Sequence, residues 1–374
     1  EDAFYKQYFA ELEEEYGISI KYNGYEESSY YDKLSVEMTQ GKTPDIFYLR
    51  PNEILQFRDD LQSVEDYMTA QKALETPAVN FDDISELALD MYRYNETTKK
   101  MDSENGSLYA FPKDLSTQQF GYNKTIVAKY TPYFTDNDLP LPWELGKGNF
   151  ANKKSYTWTE YKAICEHIST ESQGEEFGCD VPDIEIIAKS MGGELLNLET
   201  GKVTITSAEM KKAVKYQAEL CTAASGKKPA ADRMEACYAN FTIGKGAFYS
   251  QCGTWEVGDY NKAFNKNEGD DNWGLMPTPT ENGDDSWQGM ITSAGYVVSK
   301  YSKQADLAKE IAASFMTRKM QTRMMTQGLS LPLLKSLSDA YVNPENDDQY
   351  SPSTRSVFID VISGEHGFIP VKYS

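Results

Sequence analysis

The chain has 374 residues, enough for two ordinary domains or one large one, and its 40% hydrophobic and 25% charged residues are those of a globular protein. Lys plus Arg number 37 against 58 Asp plus Glu, a formal net charge of −21, which disfavours the polyanions nucleic acid and anionic lipid as partners. No apolar run reaches the roughly 18 residues that span a bilayer, and the opening Glu1-Asp2-Ala3-Phe4-Tyr5 carries no secretory signal.

The first segment reads as an amphipathic helix: Phe4, Tyr8, Phe9, Leu12 and Tyr16 recur at helical spacing, and Gly17 supplies a stop. Ile18 to Tyr22 then alternates like a strand with one buried face. A helix from about Ser28 to Gln40, closed by Gly41, leads into the short apolar run Asp45 to Leu49. Helix, strand, helix, strand in quick succession predicts a parallel α/β sheet. Leu139 to Ser155, rich in Pro, Gly and Lys, reads as a surface loop. After it, Thr157-Trp158-Thr159-Glu160 has the form of a capping box, in which each outer side chain accepts from the other's free backbone N–H.

The helix started there carries Tyr161, Ile164, Cys165 and Ile168 on one face. Another follows Ser207, with Met210, Val214 and Leu220 on one side. A third begins near Gln304, where Leu307, Ile311 and Phe315 are four apart and Met320, Met324 and Met325 extend the stripe. Stripes of this kind are core. Lys266 to Asp271 and Asn343 to Asp348 are polar loops without the ligand spacing of a calcium loop.

Signals of catalysis are absent. With so many carboxylates, a pair suited to glycoside hydrolysis is always available somewhere and carries no information. No nucleophile elbow, phosphate-binding glycine loop or His-Glu-x-x-His motif occurs, and Gly244-Lys245-Gly246 lacks the rest of a phosphate cradle. His167 lies on a predicted helix and His366 in a loop, neither beside a nucleophile. The five cysteines, Cys165, Cys179, Cys221, Cys237 and Cys252, include no Cys-x-x-Cys pair. They read as small buried hydrophobes, with one disulfide as the alternative. The chain is expected to be no enzyme, to hold no metal and to need no cofactor.

Several segments resemble, in a fixed order, the family 1 extracellular solute-binding proteins, the class that includes maltose-binding protein. Glu15-Tyr16-Gly17-Ile18-Ser19-Ile20 is similar to the end of that family's first helix and the strand after it. Gly41-Lys42-Thr43-Pro44-Asp45-Ile46-Phe47 is similar to its Gly-x-x-Pro-Asp-Ile stretch. Leu108 to Pro112 and Tyr122-Asn123-Lys124 match the first crossing between lobes. Phe241 to Phe248 followed by Gly253-Thr254-Trp255 resembles the Phe-x-x-Gly-Lys-x-Ala-Met…Gly-x-Trp signature. Trp273 to Pro277, Ser293-Ala294-Gly295 and Gly328 to Pro332 continue the order. Two departures stand beside these matches: members usually open with a strand ahead of the first helix, and they carry further helix after a segment like His366 to Tyr373.

The resemblance implies an α/β, two-lobed periplasmic-binding-protein-like fold with hinge strands and an inter-lobe cleft that closes by hinge bending. The N-terminal lobe is expected to hold 1–112 and 293–330, and the C-terminal lobe 113–292 and 331–374. Crossings fall near Phe111 to Asp114, Gly289 to Ser293 and Gly328 to Leu333. A sugar offers hydroxyls at its edge and C–H groups on its faces, so its site needs planar polar groups and aromatic rings. The positions carried over supply them: Arg50, Asn52 and Glu53 after the Pro-Asp-Ile strand, Lys113, Asp114 and Gln118 past the first crossing, Trp255, whose indole stacks on a sugar ring, and Trp287 and Gln288. Trp143 and Trp158 are assigned to structure.

The implied function is the extracellular substrate-binding component of an ABC importer, capturing a sugar or short oligosaccharide. Its partners are the carbohydrate and the membrane permease subunits, with no nucleic acid. A monomer is expected, periplasmic or held at the cell surface as a lipoprotein. The alternatives are a carbohydrate-sensing or adhesion protein without a transporter, and a glycoside-active enzyme.

Overall fold

The computed structural model describes residues 2–197, 201–231, 237–267, 270–343, 352–363 and 365–370. In chain order, the main elements are helices α1 (Asp2–Tyr16) and α2 (Glu27–Thr39), strand β1 (Ile46–Leu49), the long strand β2 (Phe111–Asn123), and helices α3 (Trp158–Glu171) and α4 (Ala208–Leu220). Strands β3 (Phe248–Gly253), β4 (Trp273–Met276) and β5 (Gly289–Val298) follow. Helices α5 (Ala305–Ser314), α6 (Arg318–Thr326) and α7 (Ser356–Ile362) and strand β6 (Gly367–Phe368) complete them. The chain divides into two compact units, the first of residues 1–114, 293–323 and 333–335, the second of 115–292, 324–332 and 336–374. Lys113 and Asp114 thus belong with the first unit, and 324–330 with the second.

The first unit is built on the aromatic stripe of α1. Phe4, Tyr8 and Leu12 are buried, and the Tyr8 and Phe9 rings lie 5.1 and 6.2 Å from that of Phe315, which follows α5. Gly17 and Gly41 end α1 and α2 at φ +64° and +68°, where a side chain is strained. β1 runs antiparallel to the second half of β5, with Leu49 opposite Gly295. This corrects the parallel sheet expected from element order, because here the neighbour of β1 is a strand from more than two hundred residues later. Ile18 to Tyr22 forms no strand. Its alternation marks a face but provides no neighbouring strand; instead Ile20 N–H donates to the Glu13 carboxylate at 2.6 Å and the Tyr22 ring packs on Phe9.

The second unit packs around Phe120 of β2, Trp158 and Tyr161 of α3 and Phe248 of β3. β3 and β4 each pair antiparallel with β2, Gln118 facing Gly253 and Phe120 facing Met276. β6 lies parallel to the start of β5, Gly289 opposite Gly367. Thr157 caps α3 as its motif predicts: its hydroxyl accepts Glu160 N–H at 3.1 Å and the Glu160 carboxylate accepts Thr157 N–H at 2.8 Å. The expected face of Tyr161, Ile164, Cys165 and Ile168 is buried.

Helix α4 departs from its reading, since Val214 is 52% exposed and Ala213 and Tyr216 complete the inner face with Met210 and Leu220. The 305–326 stripe is split by a turn at 315–317 into α5 and α6, with Met320, Met324 and Met325 still buried. In the 266–271 loop, Asp270 accepts the N–H groups of Lys266 and Asn267, each at 2.9 Å. The predicted loop at 344–348 and the end of the closing segment, 371–374, lie outside the described residues.

Candidate functional site

In the first unit, the expected residues Arg50, Asn52 and Glu53 form one tight turn at the end of β1. Pro51 fixes the backbone for a single 3-10 turn, Pro51–Glu53. The Glu53 carboxylate closes that turn, accepting Arg50 N–H at 3.0 Å and the Asn52 side-chain amide at 3.2 Å. Three tyrosines gather beside it. Tyr30 OH donates to Tyr48 O at 2.9 Å and accepts Tyr48 N–H at 3.0 Å, which fastens α2 to β1. The Tyr30 ring lies 5.0 Å from Tyr31 and 5.7 Å from Tyr48. Burial, with the Glu53 charge nearby, pushes the Tyr31 phenol up, so it stays protonated and able to donate. The sequence reading missed this tyrosine group; its signal was the adjacent pair Tyr30-Tyr31.

Lys113 and Asp114 serve their own unit. They are 7% and 5% exposed. Lys113 Nζ donates to Tyr5 OH at 2.7 Å and stands 3.6 Å from the Asp114 carboxylate. Asp114 accepts Ala294 N–H at 2.9 Å, and its backbone oxygen accepts Ser293 Oγ at 2.6 Å. This cluster sits where β2 and β5 leave the first unit, and its polar atoms are directed at protein groups.

In the second unit Gln118 and Trp255 lie near one end of the β2–β3 ladder. Gln118 faces Gly253 across the β2–β3 ladder, and Trp255 lies two residues on, in the 3-10 turn Thr254–Glu256. Trp255 is 36% exposed. The ring folds back over Gly253, where a methyl group would stand 2.5 Å from the indole Cε2. Glu256, absent from the expected set, fixes the turn from below: its carboxylate accepts Gly253 N–H at 3.2 Å and the Tyr260 hydroxyl. Burial raises its pKa above the ordinary value. The arrangement is a partly exposed indole packed on the glycine that pairs with Gln118.

Trp287, a further expected ligand residue, packs within its own unit. It is 3% exposed, its ring is stacked on His366 at 4.0 Å and 4°, and its Nε1 donates to Asp285 at 3.1 Å. One face is covered by the His366 ring. Gln288 is half-buried and its side-chain amide donates to the Trp287 carbonyl at 3.1 Å. Asp285, Trp287 and His366 border a surface pocket of about 290 Å³ with Lys154, Asp360 and Glu365 on its wall. Among the described residues, no three His, Cys, Asp or Glu side chains are grouped to hold a metal, and no helix is long and apolar enough to cross a membrane.

A family model described as bacterial extracellular solute-binding protein matches residues 7–350. No curated protein sequence matches the chain. Among solved structures, the ABC substrate-binding protein Lmo0181 from Listeria monocytogenes, in complex with cycloalternan, is 17% identical with a TM-score of 0.72, covering 98% of this chain and 85% of that one. The GacH receptor of Streptomyces glaucescens, solved unliganded and with acarbose, is 19% identical with a TM-score of 0.74, covering 98% and 84%. UgpB from Mycobacterium tuberculosis, in complex with glycerophosphocholine, is 15% identical with a TM-score of 0.73, covering 99% and 84%. At these identities the likeness shows the fold, the two-lobed architecture of periplasmic binding proteins. The family model reaches across all but the ends of the chain, and the protein belongs to the bacterial extracellular solute-binding proteins.

Proposed function

We propose that this protein is the substrate-binding component of an ABC importer and that its cargo is a sugar or short oligosaccharide. The observation that carries the sugar is Trp255, a partly exposed indole packed on Gly253, the residue paired with Gln118 across the β2–β3 ladder. A pyranose ring buries its C–H face on such a surface, while amides and carboxylates take its vicinal hydroxyls. Arg50, Asn52 and Glu53 supply the same polar types on the first unit, with the Tyr31 phenol as a further donor. Lys113 and Asp114 shape the strand that leads to Gln118, and Gln288 stands at the start of β5. The acarbose and cycloalternan bound to the receptors of similar fold favour this ligand class.

The protein binds and releases its cargo unchanged, as a monomer, and delivers it to membrane permease subunits. It works outside the cytoplasm, in a periplasm or anchored to the cell surface by lipid.

The test is a thermal-shift panel of mono- and oligosaccharides, polyols, amino acids, polyamines and glycerophosphocholine, repeated on Trp255→Ala. A ligand at one hundred times its Kd stabilises by about 2.7 kcal/mol. A shift with one glycan series that vanishes in the variant is the expected result. A shift only with a non-carbohydrate keeps the importer reading and removes the sugar, and release of a cleaved product would overturn the binding role.

A further inference from the structure

The sequence holds three Asn-Gly pairs, Asn23-Gly24, Asn105-Gly106 and Asn282-Gly283. In such a pair the backbone nitrogen after the asparagine can reach the side-chain carbonyl carbon, because glycine has a permissive backbone and no Cβ to obstruct the approach. Attack requires that nitrogen to lose its proton, so a glycine N–H that donates to a fixed acceptor is held back. The fold restrains two of the pairs in this way. Gly106 is buried and its N–H donates to Asp102 O at 2.9 Å, in a turn so close that a Cβ at 106 would stand 2.8 Å from Tyr94 N. Gly283 is buried too, and its N–H donates to Thr280 Oγ1 at 2.9 Å, while the Asn282 side-chain amide donates to the Asp284 carboxylate at 3.3 Å. Asn23 and Gly24 differ from both. They are exposed, on the irregular segment between α1 and α2, and among the described residues no group accepts the Gly24 N–H. The atoms nearest to a Cβ at 24 would be those of the Tyr22 side chain, its hydroxyl at 3.2 Å.

We propose that Asn23 is a site of spontaneous deamidation in the folded protein, and that the fold protects Asn105 and Asn282 from the same reaction. Gly24 N gives up its proton to solvent base and attacks Asn23 Cγ. The bond from Cγ to the amide nitrogen breaks, and that nitrogen takes a proton from solvent and leaves as ammonia. The product is a succinimide ring. Water then adds to one of its carbonyl carbons and breaks that carbon's bond to Gly24 N. Opening at Cγ leaves aspartate at this position; opening at the backbone carbonyl leaves isoaspartate, with the chain routed through the former side chain. One water enters and one ammonia leaves, with no electrons transferred to or from the protein. The new carboxylate stands two residues before Tyr25, whose ring lies 4.8 Å from Lys33 Nζ and whose hydroxyl donates to Glu37 at 2.7 Å. Aged protein is thus a mixture of charge forms that differ in the first unit.

The experiment holds the whole purified chain at mildly alkaline pH in water enriched in heavy oxygen, once native and once in urea, and then digests it with trypsin in ordinary water. Lys21 and Lys33 bound the peptide 22–33, in which Asn23 is the only asparagine, and Lys100 and Lys113 bound 101–113, where the same holds for Asn105. Asn282 is placed by fragmentation of the peptide 267–300. Heavy oxygen marks conversion that occurs during the incubation. The deciding quantity is the rate at each site in the native chain relative to its rate in urea. Asn23 is expected to convert in the native chain nearly as fast as in urea, its peptide separating into aspartate and isoaspartate forms. Asn105 and Asn282 should fall roughly tenfold or more below their urea rates, because reaction there waits for local opening. Gly24→Ala should slow conversion at Asn23 roughly tenfold by placing a Cβ beside the attacking nitrogen. The proposal is overturned if Asn23 is slowed in the native chain as much as Asn105 and Asn282, or if those two convert there as freely as Asn23.

Discussion

Gly253 and Trp255 are bound by a close approach: the indole lies where a side chain at 253 would be, 2.5 Å from the position of a Cβ. The glycine of the Gly-x-Trp motif is therefore a seat for the ring. Gly253→Ala is expected to lift the indole and weaken glycan binding roughly tenfold, about 1.4 kcal/mol, as Trp255→Ala does. Titration calorimetry reads both. Trp255 is a surface residue, so its loss should change stability by no more than about 0.5 kcal/mol. Unchanged affinity in both variants would place the sugar-stacking ring elsewhere.

Trp287 should behave in the opposite way. Its ring is buried and stacked on His366, where β6 meets the start of β5. Trp287→Ala is expected to cost about 3–5 kcal/mol of stability. Urea denaturation measures this, and glycan affinity of the remaining folded protein should stay close to that of the natural chain. A stable Trp287→Ala protein that no longer binds glycan would return this tryptophan to the ligand site.

The contrast between the two tryptophans shows what the sequence could convey. Helix faces with a regular period, such as Tyr161, Ile164, Cys165 and Ile168, were legible because period alone selects a buried side. The capping box at Thr157 was legible because it is a local hydrogen-bond exchange. The partner of β1 was not, since strand pairing depends on a chain segment far away. Val214 failed for a related reason: on α4, Ala213 and Tyr216 fill the inner face, and period alone does not say which residues rotate inward. Trp255 and Trp287 are equivalent in composition and differ only in their surroundings. One rests on a glycine beside solvent, and the other is covered by His366, a residue 79 positions on. Lys113 and Asp114 gave no local sign that Tyr5 and Ala294 would engage them.

Those last contacts predict a stability role. Asp114→Ala leaves the buried Lys113 ammonium without its neighbouring carboxylate and the Ala294 N–H without its acceptor. A loss of about 3–5 kcal/mol is expected. Asp114→Asn keeps an acceptor for Ala294 and should lose less. Comparing urea midpoints with glycan affinity separates the roles: if Asp114→Asn folds with natural stability but binds poorly, the carboxylate touches ligand.

Asp180 should leave a mark on the pH dependence of stability. It is 3% exposed, and its carboxylate accepts Ser250 N–H at 2.7 Å, Ser250 Oγ at 2.6 Å and the Gln251 amide at 3.4 Å. Burial outweighs these donors and raises its pKa above the ordinary 3.8. Between the ordinary and the raised value, the native state binds more protons at this site than the unfolded state. The stability the group contributes is thus fully present below 3.8 and is lost as pH rises through the native value. An amide at this position can accept Ser250 N–H and donate to Ser250 Oγ without carrying charge. Asp180→Asn is therefore expected to be at least as stable as the natural protein at neutral pH, and its denaturation midpoint should lack the decline that Asp180 imposes above 3.8. If Asp180→Asn is instead strongly destabilised at neutral pH, the carboxylate is held charged by its donors and the direction of its shift is reversed.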